Sequence, residues 1–235
     1  DNVTGPSLKT SWYEGLPLLP YLEQVDADLS TGNEAFVMPV QRVSRPDRTF
    51  RGFQGQIESG SVAVGDEITA LPGKETARVA QLLVTNRESE SAVAGQPVTI
   101  RLDREMDVSR GNVLVNNFEP EVANMFRATL LWMDDVELVA GRSYLLKLGT
   151  RTLPATVMNI RHKIDINSGR HTNAEKLFKN ELAICDLALA ENMVFNQFNQ
   201  CESLGSLILI DRVSNMTSAC GVISHSLRRS TNVVW

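Results

Sequence analysis

Long apolar runs are missing from this sequence. The longest, Leu207-Ile208-Leu209-Ile210, has four residues, and a membrane-crossing helix needs about 20. The expectation is a soluble chain with no membrane partner. The first residues, DNVTGPSLKT, lack the apolar core of a signal peptide. Cysteine is scarce. Cys185, Cys201 and Cys220 lie 16 and 19 residues apart, an odd set that fits neither a disulfide framework nor a C-x-x-C metal knuckle. They read as reduced, mostly buried thiols of a cytoplasmic protein, where the Asn2 and Asn215 N-x-T triplets carry no message. Histidine is equally sparse. No two of His162, His171 and His225 stand four apart around a glutamate, so a zincin helix is excluded and a structural role is expected for each. A phosphate loop is missing too: Gly73-Lys74 has no upstream glycine at the required distance and is followed by Glu75. Positive charge is also short. The net charge is −5 with no basic stripe, which argues against nucleic acid as a partner.

Glycine, by contrast, is placed regularly. FRGFQGQIESGSVAVGDEITALPG carries Gly52, Gly55, Gly60, Gly65 and Gly73 between short alternating stretches, the pattern of tight hairpins. From residue 35 the apolar period is two. AFVMPVQRV reads as one strand, on a sheet edge because of Pro39. GFQGQIESG, SVAVGDEITAL (turning at Gly65-Asp66), TARVAQLLV, QPVTIRLD and GNVLV follow. In QPVTIRLD the residues Val98, Ile100 and Leu102 share a face. A second series begins after NNFEPE: MFRATLLWM, RSYLLKLGT, LPATVMNIRHKIDI, NELAICDLALA, SLILIDRV and SACGVISHSL. Leu207 to Ile210 alternate faces, and the unbroken run predicts burial on both. Residues 167–179 predict an exposed loop with a helical turn. Ahead of the strands, Leu18, Leu19, Leu22 and Val25 recur at helical spacing, predicting a helix over 17–25, with Pro17 and Pro20 tolerable near the first turn and 26–34 as a linker. The fold class is therefore all-β: two consecutive small antiparallel barrels behind a short N-terminal helical segment. Two cores of this size are within reach of 235 residues.

Catalytic groups are hard to find. Asp134-Asp135 precedes a turn and reads as a solvated loop rather than an acid–base pair. Trp12, Trp132 and Trp235 are too scattered for a base-stacking platform, and Trp132 alternates with Leu130 as a core residue would. Two arginine sets are less ordinary: Arg42, Arg45, Arg48 and Arg51 in QRVSRPDRTFRG, and Arg228 with Arg229 in SHSLRRSTNVVW. Arginine is favoured at protein interfaces, so these six are the candidate interface residues. No residue is assigned to catalysis, a cofactor or a metal.

The order of helix, barrel and barrel resembles the second and third domains of translational GTPases such as elongation factor Tu. GQIESGSVAVGDEI looks like the opening hairpin of the second domain, RGNVLV like its closing strand, and LGSLILIDRVSNMTSACGVI like the end of the third. SWYEGLPLLPYLEQV, PVQRVSRPDRTFRGFQGQIESG and IDRVSNMTSACGVISHSLRR are similar to one branch, the large GTPase subunit of bacterial sulfate adenylyltransferase. STNVVW looks like the start of a fused adenylylsulfate kinase. The resemblance implies a fragment. Residues 1–30 would be the tail of a GTPase domain with its connecting helix, 31–117 the first barrel, 118–228 the second, and 229–235 a linker to the kinase. It implies a parent enzyme that uses GTP, ATP and Mg, with a small catalytic subunit and the parent's own GTPase and kinase domains as partners. The barrels would be non-catalytic and would couple GTP hydrolysis to sulfate activation. The alternative is the aminoacyl-tRNA-holding pair of barrels of an elongation factor.

Overall fold

The computed structural model describes residues 2–25, 35–47 and 50–227. The chain divides into two units, Asp1–Gly32 and Asn33–Trp235.

In the first unit a 3-10 turn at Leu8–Thr10 is capped by the Ser7 hydroxyl, which accepts from the Lys9 N–H. The helix is Leu18–Gln24, with Pro17 just before it, where a missing N–H leaves no hydrogen bond unmade. This is the helix the spacing predicts. It buries none of its own residues: Leu18, Leu19, Tyr21 and Leu22 are all exposed. The expected linker at 26–34 lies outside the described residues.

The second unit opens with an antiparallel sheet in the spatial order Phe36–Pro39, Val113–Asn116, Glu67–Leu71, Glu75–Val84, Pro97–Leu102, Gly52–Gln56 and Arg42–Ser44. Its two sides are joined where the Val37 N–H donates to Ser59 O at 3.1 Å and the Glu58 N–H donates to Val37 O at 2.9 Å. Phe36, Met38, Phe53, Ile68, Ile100 and Leu114 fill the space inside. The expected single strand AFVMPVQRV is two strands. Beyond Pro39, the Val40 N–H donates to Asn112 O and the Gln41 N–H to Gln54 O. The chain thus changes partner strand just after a residue that cannot donate to a ladder. Gly65 takes φ +95 at the predicted turn, a conformation glycine adopts without strain.

The second sheet closes on itself. Glu121–Trp132, Leu182–Phe195, Arg151–Ile164, Ser143–Leu148, Ser206–Ile210 and Thr217–Ser226 form a six-stranded antiparallel ring. Trp132 and Tyr144 meet edge to face inside it, with ring centroids 5.6 Å apart. Two expectations change here. Residues 167–179 hold no helical turn. Asp165 accepts from the Asn167 and Ser168 N–H groups, Gly169 takes φ +67, and His171–Thr172 pairs back on Lys163 and Ile164. Lys176–Leu177 then pairs with Leu138–Val139 and Leu177 is fully buried. The Leu207–Ile210 run is buried on one face only. Leu207 and Leu209 point into the core, whereas Ile208 and Ile210 are half-buried on the outside.

Strands with two apolar faces do occur where the barrels meet. Phe36, Met38, Ala70 and Leu114 belong to the first core, while their neighbours Val37, Leu71, Val113 and Val115 pack into the second. The Thr150 hydroxyl donates to Val40 O at 3.1 Å across the same junction. Both barrels lie within the one unit Asn33–Trp235. No helix among the described residues is long and apolar enough to cross a membrane.

Candidate functional site

Cys185, Asp134 and Asp211 are each tied into the second barrel. Burial, and then the Asp186 charge, push the Cys185 thiol up to about 12, so it carries no thiolate at neutral pH. Asp134 accepts from the Ser218 hydroxyl at 2.7 Å, and that bond together with the Val136 N–H holds its carboxyl below the usual range. Asp211 is held at about 2 by the Ser214 and Val213 N–H groups, with Arg142 at 2.9 Å. These two carboxylates shape the loops at one end of the second barrel. Among the described residues no group of three His, Cys, Asp or Glu could hold a metal ion.

His162 stacks on His171 at 4.0 Å. Burial first, then the His171 and Arg127 charges, keep the His162 imidazole below its ordinary value. Its Nε2 is buried and makes no hydrogen bond. The folded state therefore resists protonation at this ring. Stability is complete above the ordinary imidazole value and is lost as pH falls from there towards the lowered folded value. Urea unfolding is expected to show less stability at about pH 5 than at about pH 7, and His162→Gln is expected to shallow that dependence.

The arginine set of the first barrel is only partly free. Arg51 donates from Nη1 to Glu105 Oε2 at 2.7 Å and Met106 O at 2.6 Å, and from Nη2 to Val108 O at 3.0 Å. Its guanidinium lies 5.2 Å from the Phe53 ring centre, and only 17% of its side chain is exposed. Arg51 thus ties the 105–108 segment to the barrel. Arg45 reaches the same Glu105 oxygen at 3.1 Å from an exposed position, where such a pair contributes little to stability. Arg42 is exposed at the head of its strand. Arg48, Arg228 and Arg229 lie outside the described residues.

Two features escape the sequence reading. The first is a triad on the outer wall of the second barrel. Arg127 Nε donates to Asp186 Oδ1 at 2.7 Å and Arg161 Nε to Asp186 Oδ2 at 2.5 Å. Burial raises the Asp186 carboxyl, but the two arginines outweigh it and hold it below its ordinary value. The second is an apolar groove of about 540 Å³ on the same wall, lined by Leu131, Leu182, Ile208, Cys220 and Val222 with Lys147.

The family model described as GTP-eEF1A C-terminal domain-like matches residues 125–224, which is most of the second barrel. A bifunctional enzyme NodQ of Rhizobium sp. (strain N33) is 40% identical over 100% of this chain and 36% of the relative. Sulfate adenylyltransferase subunit 1 of Aliivibrio fischeri (strain MJ11) is 39% identical over 96% of this chain and 47% of its own length. A bifunctional enzyme CysN/CysC of Xylella fastidiosa is 41% identical over 100% of this chain and 38% of the relative. The chain thus spans less than half the length of these relatives. The crystal structure of sup35 complexed with GDP shares the fold, with a TM-score of 0.77 at 21% identity over 97% of this chain and 57% of that one. Across almost its whole length the chain is thus similar to a stretch of sulfate adenylyltransferase subunit 1 and its bifunctional relatives, and in this chain that stretch folds as two β-barrels.

Proposed function

We propose that the two barrels are the non-catalytic coupling part of a sulfate-activating GTPase subunit. The observation that carries this reading is near-40% identity to sulfate adenylyltransferase subunit 1 across almost the whole chain. In the parent, ATP and sulfate give adenylylsulfate and pyrophosphate. A sulfate oxygen takes the adenylyl group and pyrophosphate leaves. A small catalytic subunit performs this transfer, and GTP hydrolysis on the large subunit drives it. In a bifunctional parent a fused kinase then phosphorylates the 3′ hydroxyl of adenylylsulfate. GTP, ATP and Mg belong to those other parts. Among the described residues there is no glycine-rich phosphate loop, and no group of three His, Cys, Asp or Glu that could hold a metal ion.

A GTPase switch does work only when another surface reads its two states. Two barrels with adjoining cores suit this task, because a displacement at one end is not absorbed between them. The translation-factor alternative has the fold in its favour, but two sup35 structures that share the fold are only 21% and 23% identical, against 39% for sulfate adenylyltransferase subunit 1.

Arg42, Arg45 and Arg51, with Arg48, Arg228 and Arg229, are proposed to dock the GTPase domain or the small subunit. Arg42 and Arg45 point outward and supply the contact, while Arg51 holds the surface that presents them. The test is the full-length parent mixed with the small subunit, read by adenylylsulfate formation, GTP hydrolysis and complex affinity. Arg42→Glu/Arg45→Glu is expected to weaken the complex about tenfold at low salt and less at high salt. Unchanged affinity at both salts removes the arginines from the interface. A parent that makes no adenylylsulfate with its small subunit refutes the function itself.

A further inference from the structure

All three histidines of the chain, His162, His171 and His225, gather on the outer wall of the second barrel around Asp186. Ladder pairing sets Asp186 beside Arg127, and Arg127 beside His225. Ile184, two residues from Asp186 and on the same face, stands beside His162, and His171 stacks on His162. Arg161 occupies the bulge between Ile160 and His162, a place where a strand re-aims a side chain. These residues come from four strands and a hairpin, so the sequence shows no basic stripe although the fold assembles one.

The two arginines are held in a fixed posture. Arg127 Nε donates to Asp186 Oδ1 at 2.7 Å and its Nη2 to Oδ2 at 3.3 Å, while Arg161 Nε donates to Oδ2 at 2.5 Å. The acid is buried and Arg161 is exposed. Arg127 Nη1 and both Nη atoms of Arg161 form no hydrogen bond among the described residues. One negative charge thus orients two positive ones and leaves their terminal N–H groups unbonded. The His162 Nε2 is also buried without a partner. Other acids nearby are occupied: Glu181 pairs with Lys163, and Asp165 accepts from N–H groups of its own turn. The local excess of charge is therefore positive.

We propose that the terminal N–H groups of Arg127 and Arg161, ringed by His162, His171 and His225, bind a tetrahedral oxoanion of the sulfate or phosphate class. The planar fork of a guanidinium matches two oxygens of such an anion. A fork already anchored through Nε loses less freedom on binding than a mobile one. Imidazoles around it add positive charge as pH falls. Free sulfate and a phosphate ester present the same oxygens, and that shared chemistry is what the site reads. The proposal does not depend on the coupling function put forward above.

The test follows the imidazole resonances of the full 235-residue chain by NMR, with sulfate as the probe and chloride holding ionic strength constant. Millimolar sulfate is expected to shift the His162 and His225 signals saturably and to raise the His162 titration midpoint, because a bound anion favours imidazolium. Affinity is expected to rise several-fold between about pH 7.5 and about pH 6. Arg161→Lys keeps a cation for Asp186 but lacks the fork, and is expected to bind sulfate about tenfold more weakly. His171→Gln/His225→Gln alters two exposed rings and is expected to flatten the pH dependence, with His162 still reporting; an unaltered pH dependence removes these rings from the site and overturns the proposal. Adenosine 5′-monophosphate in place of sulfate separates the sources: equal affinity assigns the site to a free oxoanion, and markedly tighter binding to one carried on a nucleotide. Shifts that never saturate, or that are unchanged in Arg161→Lys, reflect screening alone and overturn the proposal. Histidine signals that ignore both probes in the folded chain overturn it as well.

Discussion

Val115→Asp is expected to split the thermal unfolding of the two-barrel unit into two transitions and to lower its stability by about 3–5 kcal/mol. Val115 is 2% exposed. It stands between Val37 and Thr69 in the ladder, and its side chain belongs to the second barrel's core although its strand closes the first. A carboxyl group placed there loses the apolar burial of valine and gains no water. It takes up a proton rather than ionise, and the cheapest relief is to open the junction. The Leu114 side chain, on the opposite face, stays in the first core, so the first barrel keeps most of its packing. Calorimetry is the direct measurement: one transition in the unaltered protein, two in the variant. A single transition at an unchanged midpoint would show that the junction does not depend on the Val115 side chain. In the proposed parent the same variant is expected to leave GTP hydrolysis running while adenylylsulfate formation falls, since the signal would dissipate at the loosened junction.

Strand existence was legible because period two survives in sequence wherever one face is buried. Val98, Ile100 and Leu102 are all buried, as their alternation predicts. Ladder partners were not legible. The break after Pro39 depends on where the Val40 and Gln41 N–H groups find acceptors, Asn112 and Gln54, and neither is near in sequence. The run from Leu207 to Ile210 misled for a related reason. Apolar residues on both faces imply two covers, but the sequence does not say whether the second cover belongs to the same chain. The double-faced strands at Val37 and Val113 find theirs in the neighbouring barrel, whereas Ile208 meets only the open groove. The interface arginines show the same limit. Composition drew attention to Arg51, yet it is the residue most occupied internally. Arg127 drew none, although a signal was present: Arg127 and Asp186 are single charges inside otherwise apolar strand sequences, MFRATLLWM and LAICDLALA. Such a charge must reach water or find a partner.

The Asp186 triad makes that need quantitative. The carboxylate is 3% exposed, while Arg127 and Arg161 are 28% and 49% exposed. The acid is therefore the desolvated member and the arginines cover it. Removing both in Arg127→Met/Arg161→Met strands the charge and is expected to cost about 3–5 kcal/mol at neutral pH. Arg161→Met alone costs less, because Arg127 still donates to Asp186. The pH dependence distinguishes a lost ion pair from simple repacking. In the unaltered protein Asp186 is held below its ordinary value, so its contribution is complete above the unfolded carboxylate value of about 3.9 and is lost as pH falls through the lowered folded value. In the double variant burial acts unopposed and raises the carboxyl. The folded state then binds the proton more readily than the unfolded one, and the deficit shrinks as pH falls from neutrality towards about 4. Urea unfolding across that range reads both slopes. A deficit constant with pH would mean that the arginines support the barrel through their stems alone. Replacing the acid as well, in Asp186→Leu/Arg127→Met/Arg161→Met, is expected to recover most of the loss, since an apolar trio of similar volume needs no compensating charge. The triad is then a device that fixes the register of three strands rather than a source of net stability.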